Sequence, residues 1–499
     1  MRAIFTTAEI LAATGGSLIQ GGAWDTFCGV NTDSRTCQTG ELFIPLAGER
    51  HDGHEFLPGA LRRGVRAVLV EERWYLGKGA RGFFVSGPYP LSKPQPQPLK
   101  GNGRGTARRA PLGIPGEVTV ISVPDTLAAL GDLARVWRGR FEVPVVAITG
   151  SCGKTTTKEM MAAVLSPSYR VLKNRLNLNN LIGMPLTLLE LEGSHEAAVV
   201  EMGMNAFGEI RRLTRIAAPT IGVLTNVHGA HTEGVGDVAG VARAKGELVA
   251  ALDHGARLVY NADDPWVAPL AQKFHGPALG FGLESGAGLR ATGRQTRGPR
   301  GQRANLHFQG RSWPLQLAVP GLHMLYNALA AAAVGLTLGL APEDTARALA
   351  GFQPIHRRSQ IVSLPSGVYL LNDCYNANPG SMAMALKTLQ ELRHRGRAAA
   401  ALADMLELGN GAAAAHRELG RTAAGLGLDL LVLYGNFKEE TAAGAKAGGL
   451  PDHRVVPVES RDQGAEVLRE FLQPGDWLLV KGSRSMHMEG LIAALEEKI

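Results

Sequence analysis

The stretch A-I-T-G-S-C-G-K-T-T-T-K-E, residues Ala147–Glu159, sets the architecture of the middle of this chain. It continues the β-branched run V-P-V-V-A-I and leads into K-E-M-M-A-A-V-L, so it predicts a strand, a glycine loop and a helix in succession. Backbone N–H groups of such a loop, with the start of the following helix, cradle phosphate oxygens. The usual spacing is G-x-x-x-x-G-K-[ST]. Here Ile148 replaces the first glycine, so the loop beginning at Gly150 is two residues shorter.

Composition limits the classes of protein to consider. The 499 residues predict several domains, and the 45% hydrophobic and 19% charged fractions are typical of a globular protein. The formal net charge is +7, but five basic residues and no acidic residue lie in the proline- and glycine-rich stretch 88–116. We interpret this stretch as a poorly ordered surface insertion. The charge therefore does not indicate a nucleic-acid-binding face.

Cysteine usage and hydropathy indicate the cellular compartment in which we expect the protein. Four cysteines without a C-x-x-C pattern argue against a disulfide framework and indicate a reducing, cytoplasmic environment. The N-terminus shows no uninterrupted apolar signal segment. The most apolar run, Ala328–Ala341, is shorter than the roughly 18 residues that suggest a membrane span, so it predicts a buried helix. We therefore expect no membrane insertion.

Alternating strand and helix patterns predict an α/β protein with mostly parallel sheets. Three blocks are expected: residues 1–142, 143–354 and 355–499. In the third block, apolar runs end in turns that carry Asp373, Asp404 and Lys481. Ligands bind at the carboxyl ends of strands in such sheets, so these three residues are candidates for a site.

The loop and two later strands supply candidate ligands for a metal–phosphate site. Lys154 would neutralise phosphate charge, and the Thr155 hydroxyl would suit Mg²⁺. Glu201 follows the strand-like run A-A-V-V, and His231 lies beyond another strand in T-N-V-H-G-A-H-T-E-G. The H-x-x-H pattern that begins at His228 also leaves a zinc site open, although zinc ligands at this spacing normally lie on a helix and require a further ligand.

Several motifs together resemble the Mur ligase family. They are T-G-S-C-G-K-T-T-T-K-E, N-L-N-N-L-I-G-M-P-L-T-L-L, V-E-M-G-M-N-A-F-G-E-I, L-T-N-V-H-G-A-H-T-E-G-V-G and D-C-Y-N-A-N-P-G-S-M, in the family's order. The resemblance covers nearly the whole chain outside residues 88–116. It implies a three-domain architecture: a domain that binds a UDP-linked substrate, a central P-loop-type sheet that binds ATP, and a Rossmann-like C-terminal domain.

The resemblance also implies an activity. We expect the protein to add D-alanyl-D-alanine to a UDP-N-acetylmuramoyl-tripeptide through an acyl phosphate, in a reaction that depends on ATP and Mg²⁺. It is expected to act as a monomer in the cytoplasm. Both steps build negative charge on phosphoryl or tetrahedral oxygens, so positioning and cationic stabilisation suffice without a protein nucleophile. Two alternatives stay open: a sister ligase that adds a different amino acid, and a nucleotide-dependent switch that performs no ligation.

The resemblance also implies a role for each residue of the site. The ATP-binding residues are expected to be Gly150, Ser151, Cys152, Gly153, Lys154, Thr155, Thr156, Asn327, Arg358, Asp373 and Asn376, with Tyr375 in the same segment. The catalytic residues are expected to be Lys154, Glu201 and His231. The metal ligands are expected to be Thr155, Glu201, His231 and Lys245, the last as a carbamate. The substrate-binding residues are expected to be Ser34, Arg35 and Asn378.

One residue has an ordinary alternative role, and two others depart from the family pattern. An ordinary helix-surface lysine is the alternative for Lys245. Met324 and Arg357 depart from the family pattern, in which an asparagine and a glycine are expected near Asn327 and Arg358.

Overall fold

The computed structural model describes residues 3–22, 25–48, 51–77, 114, 116–393 and 396–496. The predicted insertion at 88–116 lies almost wholly outside the described residues. The chain groups into two compact units, which we describe separately. The first comprises Met1–Val143, Leu178–Glu196 and Arg215–Ala218, and the second comprises Pro144–Asn177, Ala197–Thr214 and Pro219–Ile499.

The described strands are, in chain order, β1 Ile4–Thr6, β2 Ser17–Gln20, β3 Thr26–Cys28, β4 Val30–Asn31, β5 Leu42–Phe43, β6 Ala67–Glu71, β7 Thr119–Val123, β8 Val145–Thr149, β9 Val171–Lys173, β10 Ala197–Glu201, β11 Ile221–Leu224, β12 Arg257–Asn261, β13 Ala278–Gly282, β14 Leu289–Thr296, β15 Gln302–Phe308, β16 Arg311–Leu317, β17 Gln360–Ser363, β18 Tyr369–Asn372, β19 Ala398–Ala403, β20 Leu430–Tyr434, β21 Val455–Val458 and β22 Trp477–Lys481.

The described α-helices are α1 Thr7–Thr14, α2 Leu57–Arg62, α3 Glu72–Leu76, α4 Thr126–Arg138, α5 Lys154–Leu165, α6 Gly183–Leu188, α7 Glu209–Ala217, α8 Thr232–Val235, α9 Val238–Ala251, α10 Val267–Ala271, α11 Leu322–Thr337, α12 Pro342–Ala350, α13 Pro379–Leu392, α14 Ala412–Gly425, α15 Lys438–Ala447, α16 Arg461–Phe471 and α17 Glu489–Glu496.

The first unit contains a five-stranded sheet in the order β2-β7-β6-β5-β4. Only β2 is antiparallel to its neighbour, and β6 and β7 are buried along their whole length. Burial on both faces explains why neither strand shows a regular alternation of apolar and polar residues. Helix α4 begins at the cap residue Asp125, whose side chain accepts a hydrogen bond from the Ala128 N–H group.

The second unit contains a nine-stranded sheet in the order β16-β15-β14-β13-β12-β11-β8-β10-β9. The strands from β9 to β14 pair in parallel, and β14, β15 and β16 form an antiparallel extension. Strand β8 lies between β10 and β11. Because these three strands are parallel, their carboxyl ends meet at one edge, and the loops that follow them lie close together.

A six-stranded sheet in the same unit has the order β17-β18-β22-β19-β20-β21, and only β17 is antiparallel. The prediction of an α/β fold with mostly parallel sheets is confirmed. The apolar run Ala328–Ala341 forms most of the buried part of α11, which ends at Thr337 and packs on α5. Among the described helices, none has the length and apolar character needed to cross a membrane.

Asp404 proves to be a structural residue of this sheet. It follows β19, is 2% exposed, and accepts hydrogen bonds from the N–H groups of Asn436 (2.7 Å) and Phe437 (3.0 Å), just before α15. Both carboxylate oxygens are therefore used to hold a turn, and the interpretation of Asp404 as a possible site residue loses its basis.

Replacing Asp404 with Ala leaves these N–H groups without their acceptor, so we expect the free energy of unfolding to fall by about 1–3 kcal/mol. Urea unfolding followed by tryptophan fluorescence measures the change. Asp452→Ala is the matched control, because its carboxylate is 82% exposed and lies 3.5 Å from Lys446 Nζ. Equal stability of the two variants would contradict the structural role of Asp404.

Candidate active site

The glycine loop between β8 and α5 is the centre of the candidate site. Gly153, which caps α5, has φ +79°, a conformation that side chains with a Cβ rarely adopt. A Cβ there would also lie 2.5 Å from Asn327 Oδ1, and a Cβ on Gly150 would overlap Thr225 Oγ1. Both glycines are therefore required by close neighbours, and Asn327 lies directly against the loop.

The side chain of Asn226 fixes the conformation of the loop. Its Oδ1 accepts a hydrogen bond from the Cys152 N–H group (2.8 Å), and its Nδ2 donates to the Cys152 carbonyl (3.0 Å). The Ser151 N–H group donates to the Asn226 carbonyl (3.0 Å). The sequence analysis missed this residue. Its position two residues beyond the end of β11 was the available signal, because polar residues that follow parallel strands gather at the site.

The structure brings Thr155 and Glu201 together. Thr155 Oγ1 donates a hydrogen bond to Glu201 Oε2 (2.9 Å), and both residues are buried. The Glu201 N–H group donates to Asn174 Oδ1 (2.6 Å), which fixes the end of β10. Lys154 Nζ donates to the Gly150 carbonyl (2.8 Å), so its ammonium group lies over the loop. A hydroxyl and a carboxylate are thus adjacent beside a lysine, as a metal–phosphate site requires.

His231 lies beyond β11 and contacts a residue that the sequence analysis did not identify. Its Nδ1 is 2.6 Å from Glu407 Oε2, an ion-pair distance when the imidazole is protonated. The contact with His231 lowers the pKa of Glu407, against the opposing effect of burial. Among the described residues, no three His, Cys, Asp or Glu side chains are grouped to hold a metal. The zinc site left open around His228 thus has no cluster to support it.

Lys245 lies on α9 and is 1% exposed, so the alternative of an ordinary helix-surface lysine is wrong. Burial lowers its pKa well below the usual value, and the positive charge of Lys154 adds to this effect. The amine is therefore stabilised in its neutral form.

Cys152 and Asn378 join the loop to the start of α13. Cys152 Sγ donates to Asn378 Oδ1 (3.0 Å), and Asn378 Nδ2 donates to the Ser151 carbonyl (3.4 Å). The same Oδ1 accepts from the Ser381 N–H group and caps α13. Asn378 thus fixes the loop, in addition to the substrate-binding role that remains a prediction.

Asp373 pairs with a lysine at the end of a neighbouring strand. Its Oδ2 is 2.5 Å from Lys481 Nζ, and its Oδ1 accepts a hydrogen bond from the Ser359 N–H group (2.8 Å). Lys481 Nζ also donates to the Asn376 carbonyl (2.8 Å), while Asn376 itself is exposed. Both Asp373 and Lys481 were expected at strand ends, and the structure places them in contact.

Arg358 stacks on an aromatic ring. Its guanidinium carbon lies 4.0 Å from the centroid of Tyr375, and it forms no ion pair with the described residues. The neighbouring Arg357, which departs from the family pattern, instead pairs with Glu489 at 2.8 Å. Arg358 therefore remains available for an anion.

In the first unit, Arg35 is already paired. Its Nε and Nη2 atoms donate to the two Asp33 carboxylate oxygens at 2.9 and 2.8 Å. These hydrogen bonds lower the pKa of Asp33 to about 2. Ser34 is half-buried beside Gly59, whereas the Arg35 side chain is 85% exposed. An anionic substrate would have to compete with Asp33 for this guanidinium group.

Three domain descriptions of one known family together match most of the chain. The description "Mur ligase family, catalytic domain" matches residues 26–138, "Mur ligase middle domain" matches 148–335, and "Mur ligase, glutamate ligase domain" matches 357–484. The UDP-N-acetylmuramoyl-tripeptide–D-alanyl-D-alanine ligase of Bacillus subtilis is 34% identical over 94% of this chain and 93% of its own length. The Escherichia coli ligase of the same name is 32% identical over 95% of both.

Solved structures agree with these matches. A crystal structure of MurF from Acinetobacter baumannii superimposes with a TM-score of 0.84 at 29% identity and covers 100% of both chains. MurF ligase from Thermotoga maritima in complex with ADP superimposes with a TM-score of 0.75 at 25% identity, over 94% of this chain and 97% of that one. The glycine loop and the sheets agree with these similarities. The chain belongs to the Mur ligase family.

Proposed function

We propose that this chain ligates D-alanyl-D-alanine to UDP-N-acetylmuramoyl-tripeptide, using ATP and releasing ADP and phosphate. The relatives that bear this activity in their names align over more than nine-tenths of the chain, and the Thermotoga maritima structure contains ADP. The observation that carries the proposal is the glycine loop with Lys154 beside it and the Thr155–Glu201 pair at its end.

The loop would bind the phosphates of ATP. The first N–H groups of a helix have no intrahelical acceptor, so those at the start of α5 can donate to phosphate oxygens. Lys154 Nζ, which donates to the Gly150 carbonyl of the same loop, would pair with a phosphate oxygen. Asn327 would contact the adenine, while Arg358, Asp373 and Asn376 would approach the ribose and γ-phosphate from the third block.

The adjacent Thr155 hydroxyl and Glu201 carboxylate fit a magnesium ion. Thr155, Glu201 and His231 would bind it, because hydroxyl and carboxylate oxygens are preferred ligands and the Thr155–Glu201 pair is preformed. Bound Mg²⁺ would neutralise charge on the transferred phosphoryl group. Lys245 would serve as a fourth ligand in the form of a carbamate. Only a neutral amine attacks CO₂, losing a proton to give the anion, and burial favours that neutral form.

The reaction requires no protein nucleophile. The tripeptide carboxylate attacks the γ-phosphorus of ATP and ADP leaves; the dipeptide amine then attacks the acyl carbon, and phosphate leaves. Ser34 and Arg35 would bind the UDP-linked substrate and Asn378 the dipeptide end. The proposed domains are 1–142, 143–354 and 355–499, and the proposed setting is a monomer in the cytoplasm.

Turnover should require both substrates. Phosphate release is measured with ATP, Mg²⁺ and UDP-N-acetylmuramoyl-tripeptide, using the lysine form and the diaminopimelate form of the tripeptide in separate assays. In each assay the acceptor is D-Ala-D-Ala, D-Ala or meso-diaminopimelate. We expect release only with D-Ala-D-Ala, and a pentapeptide product by mass spectrometry. Release with a single amino acid would assign a sister ligase instead, and release independent of any acceptor would favour the nucleotide-dependent switch.

Lys154→Ala should lower kcat by about 10²–10³-fold, the loss typical for removing a group that stabilises transition-state charge. The control is Lys446→Ala, which removes an exposed lysine 3.5 Å from Asp452. The same phosphate-release assay measures both variants. A near-normal kcat for Lys154→Ala would show that the phosphate site lies elsewhere.

Bicarbonate should control activity through Lys245. Protein freed of dissolved CO₂ should lose about tenfold or more of its activity and regain it when bicarbonate is added, because the carbamate is a proposed metal ligand. Lys245→Met should have low activity and show no bicarbonate response. An unchanged wild-type rate after removal of CO₂ would disprove the carbamate.

A further inference from the structure

Two segments from different sheets meet beside His231. Thr232 Oγ1 donates a hydrogen bond to the Leu408 carbonyl (3.2 Å), and the Glu233 N–H group donates to the Glu407 carbonyl (3.3 Å). Gly409 has φ +53°, and a Cβ on it would lie 3.2 Å from Glu233 Cα. The segment that follows β19 is therefore fixed against the turn that carries His231 by one side-chain hydrogen bond, one main-chain hydrogen bond and the close approach at Gly409.

Both residues of the His231–Glu407 pair have a strained backbone. His231 has φ +57° and Glu407 has φ +64°, and neither is a glycine. Left-handed conformations of such residues are uncommon and tend to persist at functional sites, where the surrounding structure holds them. Here the strained backbones bring Glu407 Oε2 to 2.6 Å from His231 Nδ1.

An ordinary surface ion pair does not explain this arrangement. The Glu407 side chain is 58% exposed, and such pairs contribute little to stability. The Nδ1 atom of His231, in contrast, is buried, and Glu407 Oε2 lies within hydrogen-bond distance of it, at 2.6 Å. The positive charge of Lys154 also lowers the pKa of Glu407. Glu407 therefore contacts His231, one of the groups proposed to bind the metal.

We propose that Glu407 is a positioning residue: it acts on Nδ1 of His231 and holds the imidazole with Nε2 as the nitrogen available to the metal. Carboxylates beside metal-binding histidines fix the tautomer and ring orientation in this way. The inference rests on the proposed function, which assigns His231 as a magnesium ligand. It adds that the His231 ligand is correctly oriented only when the segment after β19 is in place.

A double-mutant cycle tests the coupling. Mn²⁺ binding in the presence of saturating ADP is measured by electron paramagnetic resonance of free Mn²⁺, for wild type, Glu407→Gln, His231→Ala and the double variant. We expect Glu407→Gln to weaken Mn²⁺ binding by about 10–100-fold. The double variant should bind Mn²⁺ as His231→Ala does, because Glu407 acts through the imidazole.

The control is Glu418→Gln, which removes an exposed carboxylate on α14 that lies 3.1 Å from Arg421. It should leave Mn²⁺ binding unchanged. Metal-free ADP binding, measured by calorimetry, should be the same in Glu407→Gln and wild type. A second readout needs no metal: ¹⁵N spectra of the His231 ring should show one dominant tautomer in the wild type and a mixture in Glu407→Gln.

Three results would overturn the proposal: wild-type Mn²⁺ affinity in Glu407→Gln, additive losses in the double variant, or an equal loss of metal-free ADP binding. An unchanged tautomer in Glu407→Gln would also contradict it. Failure of the proposed function would be seen separately, as wild-type protein whose phosphate release does not depend on D-Ala-D-Ala.

Discussion

The site depends on the hydrogen bonds between Asn226 and the glycine loop. Because β8 pairs in parallel with both β10 and β11, the loop emerges between the ends of two neighbours, and Asn226 binds both polar backbone atoms of Cys152. The shortened loop has fewer residues with which to determine its own shape, so a neighbouring strand supplies the missing constraint. The same arrangement sets Thr155 beside Glu201 and Gly153 against Asn327.

The charges around this loop suit an anionic ligand. Lys154 and Lys481 both interact electrostatically with Cys152, and each lowers the pKa of its thiol. Burial is the larger effect and raises that pKa, so the thiol stays protonated and donates to Asn378. Positive charge gathered around a neutral loop favours phosphate. Cys152 is therefore a loop-fixing residue without the properties of a nucleophile.

The sequence predicted those parts of the fold that depend on local pattern. Strand-like runs and their polar ends located the sheet edges, and therefore the loop, Glu201 and the Asp373–Lys481 pair. The pattern could not show which polar residue at a strand end would be structural, as Asp404 is, because that depends on the turn before α15. Nor could it reveal Glu407, whose contact with His231 joins residues 176 positions apart through tertiary packing. Similarly, the pairing of Arg35 with Asp33 is a rotamer choice that spacing does not determine.

The most direct test of the central claim, that the shortened loop and the ends of β10 and β11 form one nucleotide–metal site, is a crystal structure with Mn²⁺ and a non-hydrolysable ATP analogue. We expect anomalous density for Mn²⁺ beside Thr155 and Glu201, with the β- and γ-phosphates at the start of α5. Nucleotide bound away from residues 150–155, or Mn²⁺ bound without contact to Glu201, would contradict the account.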